Sequence, residues 1–89
     1  MTADRNGVEA DLLQFVQSRG PRHADVTADT DLLDGGLLDS LLLTDLILHI
    51  EGQYGMQFEG ADVSPGNFRS VSAMADLVLN QLAAPRQPA

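Results

Sequence analysis

Gly35-Gly36-Leu37-Leu38-Asp39-Ser40-Leu41-Leu42-Leu43 is the stretch on which the fold turns. A glycine pair ends an irregular segment, an Asp-Ser pair suited to capping a helix follows, and an apolar helical pattern then runs to Tyr54. Ser40 stands at that junction. The pattern predicts a second helix that starts at Asp39 or Ser40 and ends near Gln53 or Tyr54, where Gly55 stops it. Leu43, Leu46, Ile47, Ile50 and Tyr54 lie at i, i+3, i+4, i+7 and i+11 and form its expected core face. Leu41, Leu42 and Leu48 then fall beside or outside that stripe. With Thr44 and Asp45 they read as a partner-docking surface next to Ser40; Leu41 and Leu42 are core instead if the helix is rotated or the preceding loop encloses it.

Upstream, Val8, Leu12, Phe15 and Val16, flanked by Leu13, follow a helical period and predict a first helix over Val8 to Arg19. Gly20-Pro21 stops it, because proline cannot continue the hydrogen-bond ladder. Between Pro21 and Leu38 the period breaks. Asp25, Asp29, Asp31 and Asp34 alternate there with Thr27, Thr30 and the glycines, and the pairs Leu32-Leu33 and Leu37-Leu38 are expected to pin this long loop to the core. The aspartates do not follow the order of a calcium-binding EF-hand loop, so they read as a solvated acidic loop and no metal site is assigned.

Downstream, Met56 and Phe58 should anchor a second connection. Ser64-Pro65-Gly66-Asn67-Phe68 predicts a short third helix, capped by Ser64, with Pro65 at its first position and Phe68 turned inward. Arg69 should neutralise a nearby charge. Ser70 caps a last helix whose apolar positions are Val71, Met74, Leu77, Val78 and Leu82. The expected organisation is one all-α domain over residues 8–83, with a flexible N-terminus at 1–7 and a flexible tail at 84–89 that carries two prolines.

Composition narrows the function classes. A chain of 89 residues supports one modest core and no deep multi-layer active site. The net charge of −8 argues against nucleic acid or an anionic membrane as partner and for a basic protein surface. There is no cysteine for a disulfide or thiolate metal site, and no apolar run long enough to span a bilayer. Met1 to Gly7 has no apolar stretch like a signal peptide, so a cytoplasmic monomer is the expectation.

Ser40 as a catalytic nucleophile would need a base within hydrogen-bond reach and a third group to orient it. On an ideal helix His49 lies about 180° round the axis from Ser40 and more than about 10 Å along it. His23 sits in the loop, and no Gly-x-Ser-x-Gly elbow surrounds Ser40. The chain is therefore read as a non-enzyme. A serine modified by another enzyme needs exposure and a stable helix start, and a phosphodiester at Ser40 would face the free N–H groups and positive dipole end of the second helix.

Gly36-Leu37-Leu38-Asp39-Ser40-Leu41, with Asp31-Leu32-Leu33 upstream, Glu51-x-x-Tyr54-Gly55 at the helix end and Asn67-Phe68-Arg69-Ser70-Val71 before the last helix, resembles the acyl carrier protein family. The resemblance covers about residues 8 to 83. It implies a right-turning four-helix bundle with a long first loop and a short third helix. It further implies that a phosphopantetheinyl transferase attaches 4'-phosphopantetheine from coenzyme A to Ser40, that Asp39 assists that enzyme, and that the second helix is read by partners. Cargo is then carried as a thioester on the arm. Fatty-acid carriers of the family have a second helix dense in acids, whereas only Asp45 and Glu51 follow Ser40 here, and Leu42 stands where an acid is common. The chain looks more like stand-alone carriers served by adenylate-forming ligases, such as D-alanyl, aminoacyl or peptidyl carriers, which hand cargo to a downstream transferase or synthase. The alternative is an unmodified four-helix adaptor that binds a partner through the leucine-rich edge of the second helix.

Overall fold

A computed structural model of the chain describes residues 4–83 and contains helices and turns but no strand among them. Three α-helices, α1 (Arg5–Gln17), α2 (Ser40–Tyr54) and α3 (Val71–Ala83), are joined by connections that hold 3-10 turns at Pro21–His23, Gly60–Val63 and Pro65–Phe68. The residues 84–89 expected to form a tail lie outside the described residues.

α1 begins three residues earlier than its apolar period. The reason is Asp4, whose carboxylate accepts the Gly7 N–H at 2.6 Å and satisfies a donor that the helix itself leaves unpaired. Arg5, Asn6 and Gly7 are therefore helical rather than part of a flexible N-terminus. Val8, Leu12 and Val16 form the buried stripe. The helix ends at Gln17 rather than Arg19, and the chain turns away through Gly20, whose φ of 148° lies in the left-handed region that favours glycine.

α2 is rotated relative to the predicted stripe. Its buried residues are Leu42, Leu46 and Ile50, while Leu43, Ile47 and Tyr54 are half-buried flanks packed against the same core. Leu42 is 3% exposed, so it is core and not part of a docking surface. The stripes beginning at Leu42 and Leu43 share Leu46 and Ile50, so local period does not separate them; the packing of α2 on the rest of the molecule does. Gly55 ends the helix at φ 65°.

The segment 64–68, expected to form a short helix, holds a 3-10 turn, Pro65–Phe68, preceded by another such turn at Gly60–Val63. Pro65 and Gly66 give it little helical propensity, and Ser64 makes no side-chain capping bond. The Gly60–Val63 turn is closed by a capping box: the Glu59 side chain accepts the Asp62 N–H, and the buried Asp62 carboxylate accepts the Glu59 N–H at 3.0 Å and a Gln81 Nε2–H from α3 at 3.3 Å. Phe68 is buried as predicted and meets Phe58 edge to face at 5.8 Å. Ser70 Oγ accepts the Ala73 N–H at 3.1 Å and caps α3, whose buried residues are Val71, Met74, Ala75 and Val78. α1 makes its most extensive contact with α3 and a smaller one with α2.

The long first loop is fastened by backbone bonds more than by leucine pairs. Leu32 is fully buried and Leu37 and Leu38 pack on the core, but Leu33 does not, and Val26 is buried in that core as well. Leu32 N–H donates to Arg69 O at 2.7 Å and Ser72 N–H donates to Ala28 O at 2.9 Å, so the loop is tied to the entrance of α3. Asp31 completes the tie. One of its oxygens accepts the N–H groups of Leu33 and Asp34 at 3.0 and 2.8 Å, and the other accepts from Arg69 Nη1 at 2.8 Å.

The Asp34 N–H, and after it the Arg69 guanidinium, hold the Asp31 carboxyl below its ordinary value against an opposing desolvation. A carboxyl depressed in the folded state stabilises fully above its unfolded pKa and loses that contribution as pH falls through the folded one. Acid titration should therefore loosen the loop from α3 below about pH 4. The Leu33 and Asp34 amide resonances report it, and in Asp31→Asn this acid-induced change should be absent.

Candidate functional site

Ser40 is the first residue of α2, held in place by its neighbours rather than by its own side chain. Asp39 is the N-cap: its Oδ1 accepts the Leu42 N–H at 2.8 Å, and its carbonyl accepts the Leu43 N–H at 2.9 Å. The N–H groups of Ser40 and Leu41 are left with no partner inside the helix. They point out of its positive end.

The approach to Ser40 is equally fixed. Leu37 and Leu38 N–H both donate to Leu32 O, at 2.9 and 3.1 Å. On the other side the Leu37 carbonyl lies 2.9 Å from His23 Nε2. A carbonyl only accepts, so Nε2 carries the proton, and His23 Nδ1 is buried with no hydrogen-bond partner among the described residues. Gly36, at φ 69°, makes the turn between these ties.

The Ser40 side chain is exposed, and its hydroxyl has no hydrogen-bond partner among the described residues. His23 is engaged with Leu37. His49 faces the α1 side, where its Nε2 lies 2.9 Å from Asp11 Oδ2 and its ring stacks on Phe15 at 4.5 Å. Asp11 Oδ2 also accepts the Tyr54 hydroxyl at 2.8 Å, and burial followed by that carboxylate pushes the Tyr54 phenol well above its ordinary range. No base reaches Ser40 among the described residues, so the arrangement offers an accessible hydroxyl and no means of activating it. The acidic loop likewise brings no three potential ligands together among the described residues.

Of the docking residues expected from sequence, the structure groups some and separates others. Leu41 is 65% exposed and Leu48 63%. One heptad apart, they lie on the same edge of α2 about 10 Å from each other, with exposed Thr44 between them. The Thr44 hydroxyl is turned back to Ser40 O at 2.8 Å, so this edge presents mainly its methyl group. Leu42 faces the core, as above. Asp45 is not a free charge, because it is ion-paired with Arg19. The residues that sequence did not single out are Arg19 and the His23 tie, whose partners lie 26 and 14 positions away.

Comparison with known proteins covers the span in which this serine lies. Residues 9–78 match the family model described as "Phosphopantetheine attachment site". "Aminoacyl carrier protein 2" of Bradyrhizobium diazoefficiens is 38% identical over 71 residues, which cover 80% of this chain and 79% of that protein. "Aminoacyl carrier protein 1" of the same organism is 35% identical over 71 residues, with coverage of 80% and 78%.

Proposed function

The chain belongs to the phosphopantetheine attachment site family, and from that membership we propose that Ser40 is the residue that takes the arm and that the cargo is an aminoacyl group. Proteins of this family are carriers and not enzymes, and the cofactor is a covalently attached 4'-phosphopantetheine. When bound, that group supplies a thiol on which cargo is held as a thioester.

One observation carries the choice of Ser40: an exposed hydroxyl without an internal partner, at the first position of a capped helix, inside the matched span. In attachment its Oγ–H bond would break and an Oγ–P bond would form as a P–O bond of the coenzyme A pyrophosphate breaks and adenosine 3',5'-bisphosphate leaves. The proton passes to the transferase, since no base of this chain reaches it. The N–H groups at the α2 start would face the resulting phosphodiester.

The aminoacyl cargo is supported by the relatives' names and by the apolar edge of α2. An adenylate-forming ligase would load it, and a downstream transferase or synthase would accept it. These partners would meet Asp39, Leu41, Thr44 and Leu48. No described helix is long and apolar enough to cross a membrane, and a free thiol belongs in a reducing compartment such as the cytoplasm. The turns at Gly60–Val63 and Pro65–Phe68 would stand for the short third helix of a four-helix plan, within a carrier domain over residues 8–83. The adaptor alternative has no comparable support.

Intact mass tests the assignment. After incubation with coenzyme A and a broad-specificity phosphopantetheinyl transferase, the protein should gain one phosphopantetheine, located by fragmentation to the peptide that holds Ser40. No gain, or a gain on another peptide, would overturn it.

A further inference from the structure

Only two acids follow Ser40 on α2, and both are turned to partners within the chain. Glu51 Oε2 accepts the Phe58 N–H at 2.9 Å. Asp45 is ion-paired with Arg19, which follows α1. Arg19 is fixed from two directions, because its guanidinium also lies 5.5 Å from the centre of the Phe15 ring, and Phe15 is itself stacked on His49. The edge of α2 that runs from Leu41 through Thr44 to Leu48 therefore carries no uncompensated charge.

We propose that Arg19 is a specificity-determining residue, which masks Asp45 so that beyond Asp39 the docking helix is offered to partners as a neutral apolar edge and gives a basic partner surface no grip there. This rests on the reading of α2 as the docking helix. Magnitudes separate the role from a structural one. The two side chains are 31% and 30% exposed, and an ion pair that open to water adds little to stability. A charge at the rim of an interface instead acts on association rate and on its salt dependence, over a screening length of about 8 Å at physiological ionic strength.

The transferase reaction with coenzyme A provides the test, with KM for this protein measured at low and at high salt. Arg19→Gln exposes Asp45 and should lower KM roughly three-fold at low salt, with kcat unchanged and the difference lost at high salt. Asp45→Asn added to Arg19→Gln should restore the wild-type KM. Arg22→Gln removes the same charge from the Pro21–His23 turn, where the arginine has no acid partner among the described residues, and should leave KM at the wild-type value. The masking role is overturned if Arg19→Gln leaves KM unchanged or shifts it equally at both salt concentrations, if the double variant keeps the shift, or if Arg22→Gln reproduces it. If wild type takes up no phosphopantetheine at all, it is the carrier assignment of Ser40 that fails.

Discussion

Leu42→Glu should unfold the domain. The side chain is 3% exposed at the third position of α2 and packs with Leu46 and Ile50 in the core shared with α1 and α3. Truncating a buried leucine to alanine already costs about 2–5 kcal/mol, and an unpaired carboxylate at the same place adds desolvation of comparable size. A domain of this length is stable by roughly 4–12 kcal/mol in total. The sum therefore consumes most or all of the margin, and far-UV circular dichroism should show loss of helix at room temperature. Leu41→Glu and Leu48→Glu, on the exposed edge, should melt like wild type, within about 0.5 kcal/mol. A cooperative melt of Leu42→Glu near the wild-type temperature would mean that α2 presents its Leu43 side to the core.

Ser40→Ala should abolish phosphopantetheine uptake completely while leaving the fold unchanged. The helix start does not depend on the serine, because the capping oxygen belongs to Asp39 and the Thr44 hydroxyl bonds to the Ser40 carbonyl, which alanine retains. Its own hydroxyl bonds nothing among the described residues, so the expected stability change is within about 0.5 kcal/mol. Loss of mass gain with an unchanged melt thus reports chemistry at the oxygen and not disorder. Asp39→Ala behaves differently. It removes the cap at a cost of about 1 kcal/mol, and any fall in uptake would come with a lower melting temperature. Full uptake by Ser40→Ala would place the arm elsewhere.

The existence of the three α-helices was legible in the sequence because each buries one stripe and is bounded by a cap or breaker: Gly20-Pro21, Asp39, Gly55 and Ser70. The rotation of α2 was not. Leu41, Leu42 and Leu43 are consecutive, and a choice among neighbouring stripes is made by the surfaces that meet them. The start of α1 was hidden because Arg5, Asn6 and Gly7 are polar or small and Asp4 signals only through a hydrogen bond. Val26 carries no local signal, since it stands alone among polar and small residues; its burial comes from the core, and the Gln17 side chain holds its carbonyl. Where a short third helix was expected at residues 64–68, Pro65 and Gly66 allow only a 3-10 turn at Pro65–Phe68. At the site, Ser40 and Asp39 were readable as a helix start, and the exposure of Leu41 and Leu48 agreed with the idea of an apolar edge. The neutralised state of Asp45 was not readable, because no local pattern links it to Arg19.

The ion pairs that anchor Arg5, Arg19 and Arg69 have a chemical side as well as a structural one. Every basic side chain of this protein other than histidine is arginine, and the sequence contains no lysine. A thioester is vulnerable to amines, and a neutral lysine would attack it; a guanidinium stays protonated and does not. Using arginine alone to balance its carboxylates, the carrier places no side-chain amine within reach of the bond that it exists to protect until a partner breaks it.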